Sequence, residues 1–223
     1  MANIFTSSIG KKLIMSISGL FLVLFLFIHV GVNCLSLISD EAFEAGCEFM
    51  SLPIVTVMVP VLALGFIIHV AYALILNFYN LKARGPQRYA VANKGKSDDW
   101  ASKNMFVLGI IILGVLAFHL THFWAHMQLP ELTGGEAQSG PYLLYKTFQS
   151  PVNLVIYLVW FAALWFHLTH GFWSAFQTLG INNYVWLKRW KAISYAVATL
   201  LVLGFVAVAL KAAFCSPAMA SCC

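Results

Sequence analysis

Charge is what this sequence lacks. Of its 223 residues only 13 are Lys or Arg and 8 are Asp or Glu, and all eight carboxylates fall outside the long apolar runs. An ion or proton path built on carboxylates within those runs is therefore not expected. Covalent haem attachment of the usual kind is excluded too, because no Cys-x-x-Cys-His occurs. The five cysteines, Cys34, Cys47, Cys215, Cys222 and Cys223, have no zinc-framework spacing and are read as structural, with a disulfide open to them. What remains is apolar: 61% hydrophobic residues and a mean hydropathy of +0.84 place the chain among membrane proteins.

A helix needs about 20 apolar residues to cross a bilayer. Five uncharged runs qualify, and they predict an all-α integral membrane protein: one domain over residues 1–223, with helices near 13–38, 53–80, 104–128, 151–178 and 192–213. Ser150-Pro151 marks the start of the fourth, a cap residue followed by proline at the first helical position. The first run exceeds a signal-peptide core and is read as a retained helix. Lys11 and Lys12, the six basic residues Lys82, Arg84, Arg88, Lys94, Lys96 and Lys103, and then Lys188, Arg189 and Lys191 all fall on one side. By the positive-inside rule that side, with the N-terminus, is cytoplasmic and the C-terminus is outside. Trp100, Trp186 and Trp190 suit the inner membrane boundary, and Trp124, Tyr142 and Tyr145 the outer one. Topology thus accounts for the net charge of +5, and no nucleic acid need be invoked.

All seven histidines lie in or at the end of a predicted span, where polar side chains are costly. His29 is 17 residues past Lys12 and His119 is 16 past Lys103; His69 is 16 past Pro53 and His167 is 16 past Pro151, counted from the other side. At 1.5 Å per residue these positions form two levels roughly 12 Å apart, His29 with His119 in the outer half and His69 with His167 in the inner half. Two imidazoles on facing helices are what six-coordinate haem iron takes. Gly65 and Ala73 around His69, and Ala163 and Gly171 around His167, offer room for a flat macrocycle; the outer pair lacks such neighbours. Histidines that merely bond between helices, or that line a proton or metal path, are the competing readings.

The pentapeptide Phe118-His119-Leu120-Thr121-His122 recurs as Phe166-His167-Leu168-Thr169-His170. In each copy the second histidine lies between the first and the nearer membrane surface. There it suits hydrogen bonds to haem propionates or a quinone, or simple packing, and His126 suits the interface.

With Ile28-His29-Val30 and Asn33 on the first helix, Ile68-His69-Val70-Ala71-Tyr72 on the second, Phe118-His119 on the third and Phe166-His167 with Gly171-Phe172-Trp173-Ser174 on the fourth, essentially the whole chain resembles the five-helix dihaem cytochrome b subunit of succinate:quinone oxidoreductases. The resemblance implies two b haems with His29 and His119 as outer and His69 and His167 as inner axial ligands. It also implies exchange of electrons with menaquinone, and flavoprotein and iron-sulfur subunits on the cytoplasmic side of a bacterial inner membrane. Succinate or fumarate chemistry would then belong to the flavoprotein. Some fumarate reductases of this family carry a glutamate two residues before the fourth-helix ligand; Trp165 stands here, so protons are expected from the outer side. Glu44, Glu48, Trp124, His122 and His126 are the quinone-site candidates there. Ser7, Ser8, Lys11, Lys12, Ser16 and Ser18 are placed for haem propionates, as is His170, while capping and lysine snorkelling suit the N-terminal residues equally. The loop from Lys82 to Lys103 orients the helices and offers a docking face for an acidic partner. The cytochrome subunit of another respiratory dehydrogenase, such as a hydrogenase or formate dehydrogenase, fits the same histidines.

Overall fold

The computed structural model describes residue 3 and residues 7–84, 100–181 and 183–215; Arg88, Lys94, Lys96, Cys222 and Cys223 lie outside the described residues. Among the described residues the order is α1 (Ser8–Cys34), α2 (Asp40–Met50), α3 (Pro53–Thr56), α4 (Met58–Arg84), α5 (Trp100–His119), α6 (Gln128–Thr133), α7 (Gly140–Phe148), α8 (Pro151–Thr178) and α9 (Tyr184–Phe214), with no strand. Five segments are long and apolar enough to cross a membrane: Ser8–Leu37, Pro53–Ala83, Trp100–Trp124, Pro151–Thr178 and Tyr184–Phe214. The protein is an all-α bundle of five such helices.

Local chemistry sets most helix ends. Ser7 accepts from Gly10 N–H at 3.1 Å to cap α1. Ser150 caps α8 with Pro151 behind it, as the sequence predicts. The last span begins at Tyr184, eight residues before the expected 192, because Asn183 Oδ1 accepts from the backbone N–H groups of Val185 and Trp186 at 3.0 and 2.9 Å. Lys188, Arg189 and Lys191 therefore ride on the helix, over the rings of Tyr184, Trp186 and Trp173 respectively. Three short helices, α2, α6 and α7, were not foreseen; they cover the end of the bundle opposite the N-terminus.

Packing is uneven. The α8–α9 seam is the core, where Ala198, Leu201, Ala209 and Ala212 are almost wholly enclosed and small side chains let the backbones approach. Ser194 Oγ lies within bonding distance of the carbonyls of both Leu168 and Thr169, at 2.9 and 2.8 Å, and Trp165 Nε1 donates to Thr199 Oγ1 at 3.0 Å. Trp165 thus ties α8 to α9. Helix α1 packs on α4, α8 and α9, and α5 packs on α8. Helix α4 contributes no buried residue to its span window and is held chiefly along α1. Helices α1 and α5, and likewise α4 and α8, are among the spanning pairs whose backbones do not pack closely on one another.

Candidate functional site

Both of these pairs carry facing histidines. Across the α1–α5 gap the ring centres of His29 and His119 stand 5.9 Å apart, and across the α4–α8 gap those of His69 and His167 stand 6.3 Å apart. Each gap is floored by the helix between its walls, α8 under the first and α1 under the second.

The separations test what the pairs can hold. An imidazole–metal bond is about 2.0–2.1 Å and a ring nitrogen lies about 1.1 Å from the ring centre, so two imidazoles sharing one metal have centres about 6.3 Å apart. Both separations lie near that value, which also falls within the range of ordinary edge-to-face ring contact. Among the described residues no group of three or more His, Cys, Asp or Glu could hold a metal ion. Nδ1 of His167 is buried without a partner, a condition that costs about 1–3 kcal/mol.

The surroundings of the pairs differ. His29 stacks on Phe25 at 5.3 Å and meets Phe205 at 5.8 Å, while His119 meets Phe123 at 5.0 Å and Trp160 at 5.5 Å. Aromatic walls replace the small neighbours found around the other pair. At that second pair, Ser18 Oγ lies 3.4 Å from Nδ1 of His69. One expectation needs correction: Gly65 does not leave room beside His69, because a side chain there would meet the Phe21 ring at 2.8 Å. Its role is close approach of α1 and α4. The glycine that admits the His69 ring is Gly19 on α1, whose absent Cβ would lie 3.1 Å from Cε1 of that ring. Gly171 faces Met105, in ordinary contact at 3.7 Å.

Toward the N-terminal end, a cavity of about 550 Å³ is lined by Lys12, Ser16, Ser174, Gln177 and Thr178 together with apolar Ile9, Met15 and Leu76. Lys12 and Ser16, chosen from sequence, are therefore brought together, with three polar residues of α8 that sequence reasoning did not select for this role. His170 is not in this lining; its ring packs against Trp173 at 5.0 Å.

At the opposite end, a cleft of about 400 Å³ gathers Glu44, Glu48, Cys47, Ser51, Glu131 and Ser139. Glu44 accepts from Ser139 Oγ at 3.1 Å and Glu131 from Ser51 Oγ at 2.7 Å. Trp124 and His126 do not line it, and His126 is exposed. Burial and the Glu44 and Glu131 carboxylates push the Cys47 thiol up to about 12. Thiolate is the nucleophile, and its lower population outweighs its greater intrinsic reactivity, so at pH 8 Cys47 is expected to react with iodoacetamide at least about tenfold more slowly than a thiol at the ordinary 9.0. Glu131→Gln should speed labelling. A Cys47 labelled as fast as free cysteine would refute this environment. Cys34 and Cys47 are not paired with each other, and lie beside Gly204 and Gly140 respectively.

Sequence reasoning missed Tyr157. It is 2% exposed, and its hydroxyl lies 3.4 Å from Nδ1 of His119 and 3.4 Å from Nδ1 of His122. The depth count could have found it: eight residues before His167 on α8 is residue 159, level with His119 and flanked by Tyr157 and Trp160. The two pentapeptides also differ in backbone. The second is regular α-helix, whereas the first runs from α5 into a π-helical turn at Leu120–Trp124, closed by Ala125 N–H to Leu120 O at 2.9 Å.

No family model matches this sequence, and no curated protein and no solved structure matches it. The site's chemistry rests on its own geometry.

Proposed function

We propose that this chain is the dihaem cytochrome b membrane anchor of a succinate dehydrogenase or fumarate reductase, exchanging electrons between menaquinone and partner subunits. The observation that supports the reading is the double pairing: two His–His pairs, His29 with His119 and His69 with His167, with ring centres 5.9 and 6.3 Å apart, each drawn from two different spanning helices. Two b haems, when bound, would supply reversible one-electron iron chemistry at two depths. His29 and His119 would hold one, His69 and His167 the other.

The residues around these pairs divide the remaining work. Lys12 and Ser16, with Ser174, Gln177 and Thr178, give the N-terminal cavity one cation and several hydroxyl and amide groups, a suitable setting for propionates. Oxidation of a quinol releases protons as well as electrons, and Glu44 and Glu48 in the opposite cleft are placed to receive them. With no carboxylate in the spans, the side that supplies or takes up those protons is the cleft side. Lys12, Lys103, Lys188, Arg189 and Lys191 favour, by the positive-inside rule, a cytoplasmic N-terminal end, where on this reading of a bacterial inner-membrane protein the flavoprotein and iron-sulfur subunits would dock.

The test is optical. Purified protein reduced with dithionite should show a b-type haem spectrum with close to two haems per chain, and mild-detergent purification should bring down a flavoprotein and an iron-sulfur protein. Colourless protein would end the proposal.

A further inference from the structure

A ring that binds metal through Nε2 carries its proton on Nδ1, and is there only a donor. If His119 is a ligand, as the proposed function has it, the Tyr157 oxygen 3.4 Å from its Nδ1 must accept. The phenol then has one proton left to give, and the other nitrogen within reach is Nδ1 of His122, also at 3.4 Å. For that bond His122 must be the tautomer protonated on Nε2. Each assignment follows from the one before.

The structure assigns Tyr157 as a positioning residue: its hydroxyl accepts from Nδ1–H of His119 and donates to Nδ1 of His122, so one buried phenol fixes the ring orientation and tautomer of both histidines. Several observations meet here. Tyr157 is almost wholly enclosed, held by Phe148 at 4.9 Å and by Trp160 at 5.6 Å between ring centres, so its hydroxyl has little freedom to turn elsewhere. The π-helical turn that begins at Leu120 carries His122, and the His122 ring lies nearly parallel to the Tyr157 ring, at 25°. Phe118 closes against His122 at 4.1 Å and holds it there. The other pair is held differently: His69 bonds to the backbone of Met15 and lies beside Ser18, whose hydroxyl donates to backbone carbonyls of α1, while Nδ1 of His167 has no hydrogen-bond partner. His170, three residues on, sits on regular helix against Trp173. The role of His122 is thus to accept the phenol's hydrogen bond and so strengthen the phenol as an acceptor.

An acceptor on the distal nitrogen makes a ligating imidazole more electron-donating and favours the oxidised metal. In Tyr157→Phe that acceptor is gone, so the potential of one haem should rise while the other stays put. His122→Leu should raise the same potential by less, since the phenol still accepts. The double variant should match Tyr157→Phe alone, because His122 acts only through the phenol. Redox titration of the purified, haem-loaded complex, followed optically, reads all three. Unchanged potentials in Tyr157→Phe, movement of both haems, or a His122→Leu effect that persists without the phenol would each overturn the relay. If Tyr157→Phe fails to fold or loses its haem, His122→Leu decides alone: no shift there rejects the proposal. A wild-type protein without haem would instead reject the underlying reading, which separates the two failures.

Discussion

His119→Ala is expected to lose one haem of two, and His122→Ala, three residues away, to keep both. The same contrast should hold between His167→Ala and His170→Ala. His119 and His167 each face another imidazole, with ring centres 5.9 and 6.3 Å apart, whereas His122 faces a phenol and His170 packs on Trp173. If these histidines are the axial ligands proposed, removing one would leave the iron short of a nitrogen, and the loss should be near complete for that haem. Pyridine haemochrome quantitation per mole of protein would show about one equivalent for His119→Ala or His167→Ala. Two equivalents in His119→Ala with one in His122→Ala would mean that the pentapeptide presents its second histidine to the iron.

Some of this was readable from residues alone, for a definite reason. Helical rise is fixed, so counting from a membrane boundary gives depth, and depth placed His29 near His119 and His69 near His167 before any packing was known. Span positions were readable because a run of uncharged apolar residues has few other uses at such length. The start of α9 was not, since Asn183 caps a helix whose first turns are rich in cations and aromatics rather than aliphatic. The short α2, α6 and α7 were hidden for the opposite reason: they carry charge and proline, and are held by side-chain bonds such as Tyr145 OH to Asp40 at 3.0 Å, whose partners lie far apart in sequence. Lateral information is also absent from a depth count. It places Tyr157 at the right level without saying that it faces His119, and it places Gly65 one turn from His69 without saying that Phe21 fills the space. The two identical pentapeptides make the same point, since only tertiary context separates the π-helical turn of the first from the regular helix of the second.

Gly19 supplies the strongest lateral test. Replacing glycine in a helix interior favours the helix itself, by about 1 kcal/mol for alanine on propensities measured in water, so α1 should form in any such variant. The His69 ring is the group that must yield. For alanine the added Cβ would lie 3.1 Å from Cε1 and 3.4 Å from Nδ1, a crowding that a shift of a few tenths of an ångström relieves. A larger side chain leaves no such escape, because Ser18 stands beside the same ring and α1 is packed directly on α4. Gly19→Leu is therefore expected to turn His69 away from His167 and to abolish binding at that pair, while the haem between His29 and His119 remains. Gly109→Leu is the control, since a side chain there meets nothing within 4 Å and should leave both haems in place. Haem content and the redox titration together distinguish which haem has gone. Retention of two haems with unchanged potentials in Gly19→Leu would mean that His69 is not held against α1 as described, and that the pairing across α4 and α8 is not the one that binds iron.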